Sequence, residues 1–447
     1  MTNRPRRAPR RTGLACVLAL CLATALTACG SSDDGGDDGG GPADVTAALE
    51  KGGTIKVWAW EPTLKQVAKD FEDEHPKVKV KLVNAGTNKD EYTALQNAIS
   101  AGSGVPDVAQ IEYYALGQFT LTESLTDLAG FGADKLGDTY SPGPWNAVSS
   151  SDGIHALPMD SGPMALFYNK DVFDKHHIAV PRTWDEYVAA ARKLHKADPE
   201  VYITSDTGDP GLTTSLIWQA GGRPYTVDGT EVSIDFSDQG SATYTRTWQK
   251  LIDDKLLAPT VGWSDEWYKG LSDGKIATLP IGAWMPANLM SGAPKGKGSW
   301  RVAPLPQWKP GKPVSAENGG SALAVPTKSG NKALAYAFVQ YANAGKGVKT
   351  RVHDGAFPAT KATLESKEFL NRRYPYFGGQ KANVIFSKAA ADVPDDWSYL
   401  PFQVYANSVF NDAVGTAYTS GTPLDKGLAD WRKASVKYGK EQGFTIE

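Results

Sequence analysis

The residues of this chain that could do chemistry stand where short apolar runs end. Trp60 and Glu61 come at the close of the run TIKVWAW, which starts at Thr54. Glu112 and Tyr113 follow the run from Val108 to Ile111, and Trp284 follows Lys275 to Ile281 after Gly282-Ala283. An aromatic plane beside a carboxylate suits a neutral ligand with hydroxyl edges and an apolar C–H face, because the carboxylate accepts from hydroxyls and the ring covers the face. The chain holds 13 Trp and 18 Tyr, so such planes are in good supply. Two carboxylates flanking a bond would instead be glycosidase chemistry, and Asp160 with Glu112 is the pair to consider for an exported carbohydrate-active hydrolase. Other catalytic signatures are missing: there is no Gly-x-Ser-x-Gly elbow, His-Glu-x-x-His, P-loop or Gly-x-Gly-x-x-Gly. The adjacent His176 and His177 cannot share a helix face as i, i+4 metal ligands do, and no cofactor is expected.

Those positions need elements behind them. Thr54 to Trp60 alternates like a strand, and Leu64, Val67, Ala68 and Phe71 mark one helix face. His75-Pro76 ends that helix, and Val78, Val80 and Leu82 alternate with lysines in a second strand. A strand–helix–strand unit favours parallel pairing, so an α/β structure with a parallel sheet is predicted. Strands are expected also at Val108 to Ile111, Ile154 to Pro158, Met164 to Asn169 and Ser321 to Val325. Thr183-Trp184-Asp185-Glu186 reads as a capping box. In open α/β sheets ligands sit beyond the carboxyl ends of strands, where Trp60, Glu61, Glu112, Tyr113 and Trp284 stand.

The chain carries 47 basic and 50 acidic residues, net −3, with no basic stripe that would suit nucleic acid. Arg4, Arg6, Arg7, Arg10 and Arg11 precede an apolar run from Leu14 to Ala28. That run is shorter than the roughly 20 residues a spanning helix needs, and it reads as an export signal. It ends in Leu26-Thr27-Ala28-Cys29-Gly30, which looks like a bacterial lipobox, so cleavage would leave Cys29 as a lipid-bearing N-terminus. Arg10-Arg11 leaves both the general and the twin-arginine export routes open. Without the five arginines, 42 basic residues face 50 acidic ones, near −8. Cys16 and Cys21 leave with the signal, so no disulfide is expected in the mature domain. Ser31 to Pro42 is almost wholly Ser, Asp and Gly and reads as a flexible tether rather than a calcium loop.

TIKVWAW followed by a helix, GVPDVAQIEYYALG, GIHALPMDSGPMALFYNKDVF, VPRTWDEYVAA, GKIATLPIGAW and NGGSALAVPTKS come in that order. This series resembles the family 1 extracellular solute-binding proteins, the sugar-binding lipoproteins of ABC importers, over nearly all of the chain from about Gly53. The resemblance implies two α/β lobes joined by crossing hinge segments, with ligand in the cleft between them. The expected organisation is a signal peptide at 1–28, a linker at 29–52, lobe one at 53–159 and 319–372, and lobe two at 160–318 and 373–447. It further implies a monomeric binder, not an enzyme, that captures an oligosaccharide outside the cytoplasm and hands it to ABC permease subunits. Its only membrane attachment would be the lipid on Cys29. By the same resemblance Trp284 takes the place of a sugar-stacking tryptophan, and Asp160 lies at the first crossing between lobes. Trp60, Glu61, Glu112 and Tyr113 join them, with Gly320 allowing close backbone approach. Trp218, Trp397, Asn88 and Asp209 complete the candidate set. Gly162 stands where some maltose binders of the family carry a carboxylate, so a maltodextrin preference does not carry over. A non-sugar solute, such as a phosphorylated polyol or a peptide, is the rival binding reading.

Overall fold

The computed structural model describes residues 41–447; the expected signal peptide, Cys29 and the tether as far as residue 40 lie outside the described residues. Two sheets carry the architecture. Their strands are β1 (Gly53–Trp58), β2 (Val78–Val83), β3 (Val108–Glu112), β4 (Ala156–Pro158), β5 (Met164–Asn169), β6 (Thr278–Gly282), β7 (Trp300–Pro304) and β8 (Ser321–Ala324). The first sheet has the order β2-β1-β3-β8-β4 and the second β6-β5-β7. β1 lies parallel to β2, with Ile55 opposite Val80 and Val57 opposite Leu82. The Leu64–Glu74 helix between them buries Leu64, Val67, Ala68 and Phe71 on the sheet side, as its apolar spacing requires.

The expected parallel sheet is parallel only across β2, β1 and β3. β8 returns antiparallel to both β3 and β4. A strand of four residues, SALA, shows no direction by itself; its direction follows from the path of the chain after the second sheet. Ile154 also departs from the expected strand and joins Gly153 in a two-residue pairing with Ser149–Ser150. The capping box forms with a shift: Thr183 Oγ1 accepts the Glu186 N–H at 3.1 Å, while the Glu186 carboxylate accepts from Arg182.

Two segment boundaries differ from expectation. Pro42–Lys51, inside the expected linker, is a helix that packs against the Lys332–Asn343 helix and buries Val45. Pro42 at its first turn and the spacing of Val45, Ala48 and Leu49 favour that helix, and the tether-like composition stops just before it. Residues 357–371 were expected beside the first sheet. Phe357, Leu364 and Phe369 instead pack with Phe167 and Phe386 in the core of the second sheet. Within this stretch Thr360 pairs with Tyr140 in an isolated antiparallel bridge.

The two sheets are joined by connectors that run side by side. Met159 to Pro163 leads from β4 to β5, and Ser315 to Gly320 leads back to β8. The Asn318 N–H donates to Gly162 O at 2.9 Å and the Met164 N–H to Ala316 O at 3.0 Å. Both connectors end at the carboxyl edge of β3, where the candidate side chains gather.

Candidate ligand-binding site

Gln110 on β3 holds the turn after β1. Its Oε1 accepts the N–H groups of Trp60 at 3.2 Å and Glu61 at 3.0 Å, and its Nε2 donates to Ser321 Oγ across 211 residues of chain. Trp60 is half-buried and meets Tyr92 edge-on at 6.3 Å. Tyr92 donates its hydroxyl to Glu112 Oε2 at 2.7 Å. Burial pushes the Glu112 carboxyl up to about 7, with Tyr92 and Tyr114 pulling it back. From Tyr92 the rings continue through Tyr114 and Tyr399 to Trp218, at centroid spacings of 6.2, 6.3 and 5.1 Å.

At the connectors, Tyr113 donates its hydroxyl to the Asp160 carbonyl and its N–H to Gly320 O. Asp160 Oδ1 accepts the Ser321 N–H at 2.6 Å. Burial raises the Asp160 carboxyl to about 7, opposed by the Arg351 charge. Arg351 is 2% exposed and donates through Nη1 to Met159 O at 2.7 Å, with Asp160 and Glu61 as its facing carboxylates. Glu317 on the return connector accepts from Ser161 Oγ and the Gly162 N–H, and burial lifts it also to about 7. Gly320 has φ +104°, and a Cβ there would sit 2.5 Å from the Tyr113 ring, so its role is to let backbone pass against that ring.

Trp284 opens the Met285–Gly292 helix directly after β6. Its Nε1 donates to Asn318 O at 2.7 Å, and a Cβ on Gly282 would lie 2.4 Å from that nitrogen. Trp284 is half-buried beside Trp263, at 5.7 Å and 29° between planes. A cavity of about 320 Å³ is lined by Trp263, with Asp206, Asp209, Asn318 and Asn411 among its other lining residues. A larger groove, about 650 Å³, lies elsewhere between Phe236, Arg246, Asp425 and Arg432 and contains none of the candidate residues.

The structure thus gathers Trp60, Glu61, Glu112, Tyr113, Asp160, Trp284 and Gly320 around the connectors. Trp218 is 2% exposed and Trp397 7%, tilted against each other at 5.1 Å and 32° between planes; as folded here both are core rings rather than open platforms. Asp209 caps the Pro210–Gln219 helix, with Oδ1 accepting from Gly211 and Leu212. Asn88 is exposed, with φ +52°, ahead of the Lys89–Ala101 helix. Sequence reasoning missed Glu317, Asn318, Arg351, Tyr399 and Trp263. Glu317 and Asn318 directly precede the Gly319-Gly320 pair, which is the sequence signal that could have found them; Arg351 and Tyr399 carry none. Among the described residues no cluster of His, Cys, Asp and Glu can hold a metal ion, and no helix is long and apolar enough to cross a membrane.

Two α/β assemblies joined by paired connectors, with rings and carboxylates gathered at the joint, describe a two-lobed solute-binding protein. Residues 58–348 match the family of bacterial extracellular solute-binding proteins, and the chain belongs to that family. It is similar to the ABC transporter associated binding protein from B. animalis subsp. lactis Bl-04, solved in complex with β-1,6-galactobiose. The two are 49% identical with a TM-score of 0.82, covering 88% of this chain and 99% of that one. The galacto-N-biose-/lacto-N-biose I-binding protein from Bifidobacterium longum shares the fold at 24% identity, with a TM-score of 0.75 over 89% of this chain and 99% of its own. The arabinooligosaccharide-binding protein of Bacillus subtilis (strain 168) is 27% identical over 346 residues, 74% of this chain and 78% of the relative. The family is one of solute binders, which sets aside the hydrolase reading of Glu112 with Asp160.

Proposed function

We propose that this protein captures a neutral oligosaccharide outside the cytoplasm, with a β-linked galacto-oligosaccharide as the favoured ligand, and delivers it to the permease of an ABC importer. The observation that carries the ligand class is the near full-length similarity, at 49% identity, to the B. animalis protein that holds β-1,6-galactobiose. The chemistry of the joint agrees with it. Among the described residues Arg351 is the buried cation here and it already faces Asp160 and Glu61, so the region offers a phosphate or another anion no unpaired buried cation. Half-buried indoles at Trp60 and Trp284 offer planes to sugar C–H faces, with carboxylates close by for hydroxyls.

In this reading the site residues are Trp60, Glu61, Glu112, Tyr113, Asp160 and Trp284, with Asn88 and Asp209 at the margins. Lobe one comprises residues 53–159 with 319 to about 356 and carries the Pro42–Lys51 helix, and lobe two comprises 160–318 with about 357–447. Hinge bending at the connectors brings the two parts of the site onto the sugar, and the permease reads the closed form. The protein acts as a monomer. Cys29 carries the lipid, and the Ser/Asp/Gly tether gives the domain reach from the membrane surface.

A thermal-shift panel of β-1,6-galactobiose, an arabinooligosaccharide, maltose and glycerol phosphate tests the ligand class. A ligand at about 100 times its Kd adds ~2.7 kcal/mol to native stability, enough to raise the melting temperature measurably. The galactobiose is expected to give the largest shift. A shift with glycerol phosphate alone would sink the reading.

A further inference from the structure

We propose that Arg351 is a positioning residue for ligand capture: without touching the sugar, its charge holds Asp160 and Glu61 as acceptors for sugar hydroxyls. The inference rests on the saccharide reading above and deepens it.

Arg351 lies in the Gly347–His353 helix with its side chain almost wholly out of solvent. A buried guanidinium is costly unless bonds and opposite charge surround it. Bonds meet only part of that need. Nη1 donates to Met159 O at 2.7 Å and to Asn343 Oδ1 at 3.2 Å, and Asn343 Nδ2 donates to Leu157 O at 2.8 Å. These bonds clip the helix to the end of β4, one residue before Asp160. Nε and Nη2 are buried and meet no acceptor among the described residues. The rest of the compensation comes from the charges of Glu61 and Asp160, which face the guanidinium together with the Tyr140 and Tyr113 hydroxyls. In so dry a setting a charge acts without a contact bond.

Both carboxylates are half-buried and keep an oxygen for a hydroxyl. Asp160 gives Oδ1 to the Ser321 N–H, and Glu61 gives Oε1 to the Thr63 N–H at 3.1 Å. Asp160 is the sensitive one. Burial raises it, and Glu61 after β1 and Glu112 at the end of β3 raise it further, with Glu317 on the return connector and the Tyr113 hydroxyl also nearby. Against these stand the Arg351 charge and the Ser321 N–H, and the balance comes to about 7. Without Arg351 the neighbouring carboxylates would keep Asp160 protonated at neutral pH. It would then lose the charge-assisted bond that an ionised carboxylate makes to a hydroxyl. Arg351 and Glu61 belong to lobe one and Asp160 stands at the near end of the connector. The set therefore does not wait for closure, and a sugar meets its first acceptors already oriented.

Calorimetric titration with β-1,6-galactobiose, which has no titrating group, between about pH 5.5 and about pH 8.5 tests it. In wild type the affinity should rise with pH as Asp160 ionises. Arg351→Gln, which retains a donor for Met159 O, and Arg351→Met, which does not, both lack the charge. Each should move the rise to higher pH and weaken binding at pH 7 by about fivefold or more, whereas Arg351→Lys should keep the wild-type midpoint. Glu112 and Glu317 also titrate in this range, so the comparison is repeated on Asp160→Asn, where the difference in midpoint between Arg351 and Gln should vanish. A loss that is the same at every pH, or that follows the missing Met159 tie rather than the missing charge, would overturn the proposal and leave Arg351 a structural clip. Asp160→Asn alone retains Arg351 and should weaken binding at high pH and flatten the profile. Wild-type affinity and slope in that variant would overturn the proposal even if the neutral Arg351 variants fail to fold. In all these outcomes wild type still binds the disaccharide and the saccharide reading stands. A wild type that does not bind it overturns the galactoside reading and this proposal with it.

Discussion

Replacing Trp284 by phenylalanine and by alanine separates the two things its indole does. The N–H donates to Asn318 O and so ties the start of the Met285–Gly292 helix to the return connector. The ring presents its plane at the joint. Trp284→Phe keeps a plane but leaves the Asn318 carbonyl without that donor, at a cost of about 1–3 kcal/mol in stability if water does not replace it. Trp284→Ala removes both. Covering ~100 Å² of ring with a sugar face, at ~25 cal/mol per Å², contributes about 2.5 kcal/mol, which is close to 70-fold in Kd. Calorimetric titration with β-1,6-galactobiose should therefore show a loss of about 10- to 100-fold for Trp284→Ala and less than about tenfold for Trp284→Phe. Thermal unfolding should show both variants destabilised, because both lack the hydrogen bond. A folded Trp284→Ala protein with wild-type affinity would refute the stacking role. Equal affinity losses in the two variants would transfer the effect from the ring to the connector tie.

Glu112, Asp160 and Glu317 are raised by burial to about 7 from ordinary values of 4.5, 3.8 and 4.5. In that window the folded chain keeps protons that the unfolded chain has released. Stability therefore falls as pH rises toward about 7 and levels off above it, by up to about 1.4 kcal/mol per pH unit per carboxylate. Glu317→Gln should make the urea midpoint fall less steeply between about pH 5 and about pH 7, and identical slopes would exclude Glu317 as a titrating group. Gly320→Ala meets the Tyr113 ring at a positive φ and should cost about 1–3 kcal/mol, read as a lower melting temperature; an unchanged one would mean the connector has room to shift. Cys29→Ala should release the mature protein from the membrane fraction of the producing cells, since stable anchoring needs the lipid. Wild type already free in the medium would dispose of the anchor.

Much of the framework was legible from local pattern. Alternation gave away β1 and β2, the spacing of Leu64, Val67, Ala68 and Phe71 set the first helix, and strand ends pointed to Trp60, Glu61, Glu112, Tyr113 and Trp284. These signals are local because side-chain direction repeats every 2 or 3.6 residues, so a few residues suffice to express it. The tertiary structure decided what lies between distant segments. It set β8 antiparallel against β3 by bringing Ser321 to Glu112, and it gave Glu317 its partners at Ser161 and Gly162. It closed the core over Trp218 and Trp397, turned Asp209 into a helix cap and left Trp263 open at the cavity rim. Whether a tryptophan is core or platform depends on which other segments cover its faces. No periodicity along the chain records that, because the covering rings of Trp218 come from residues 397 and 399 and the neighbour of Trp263 from residue 284.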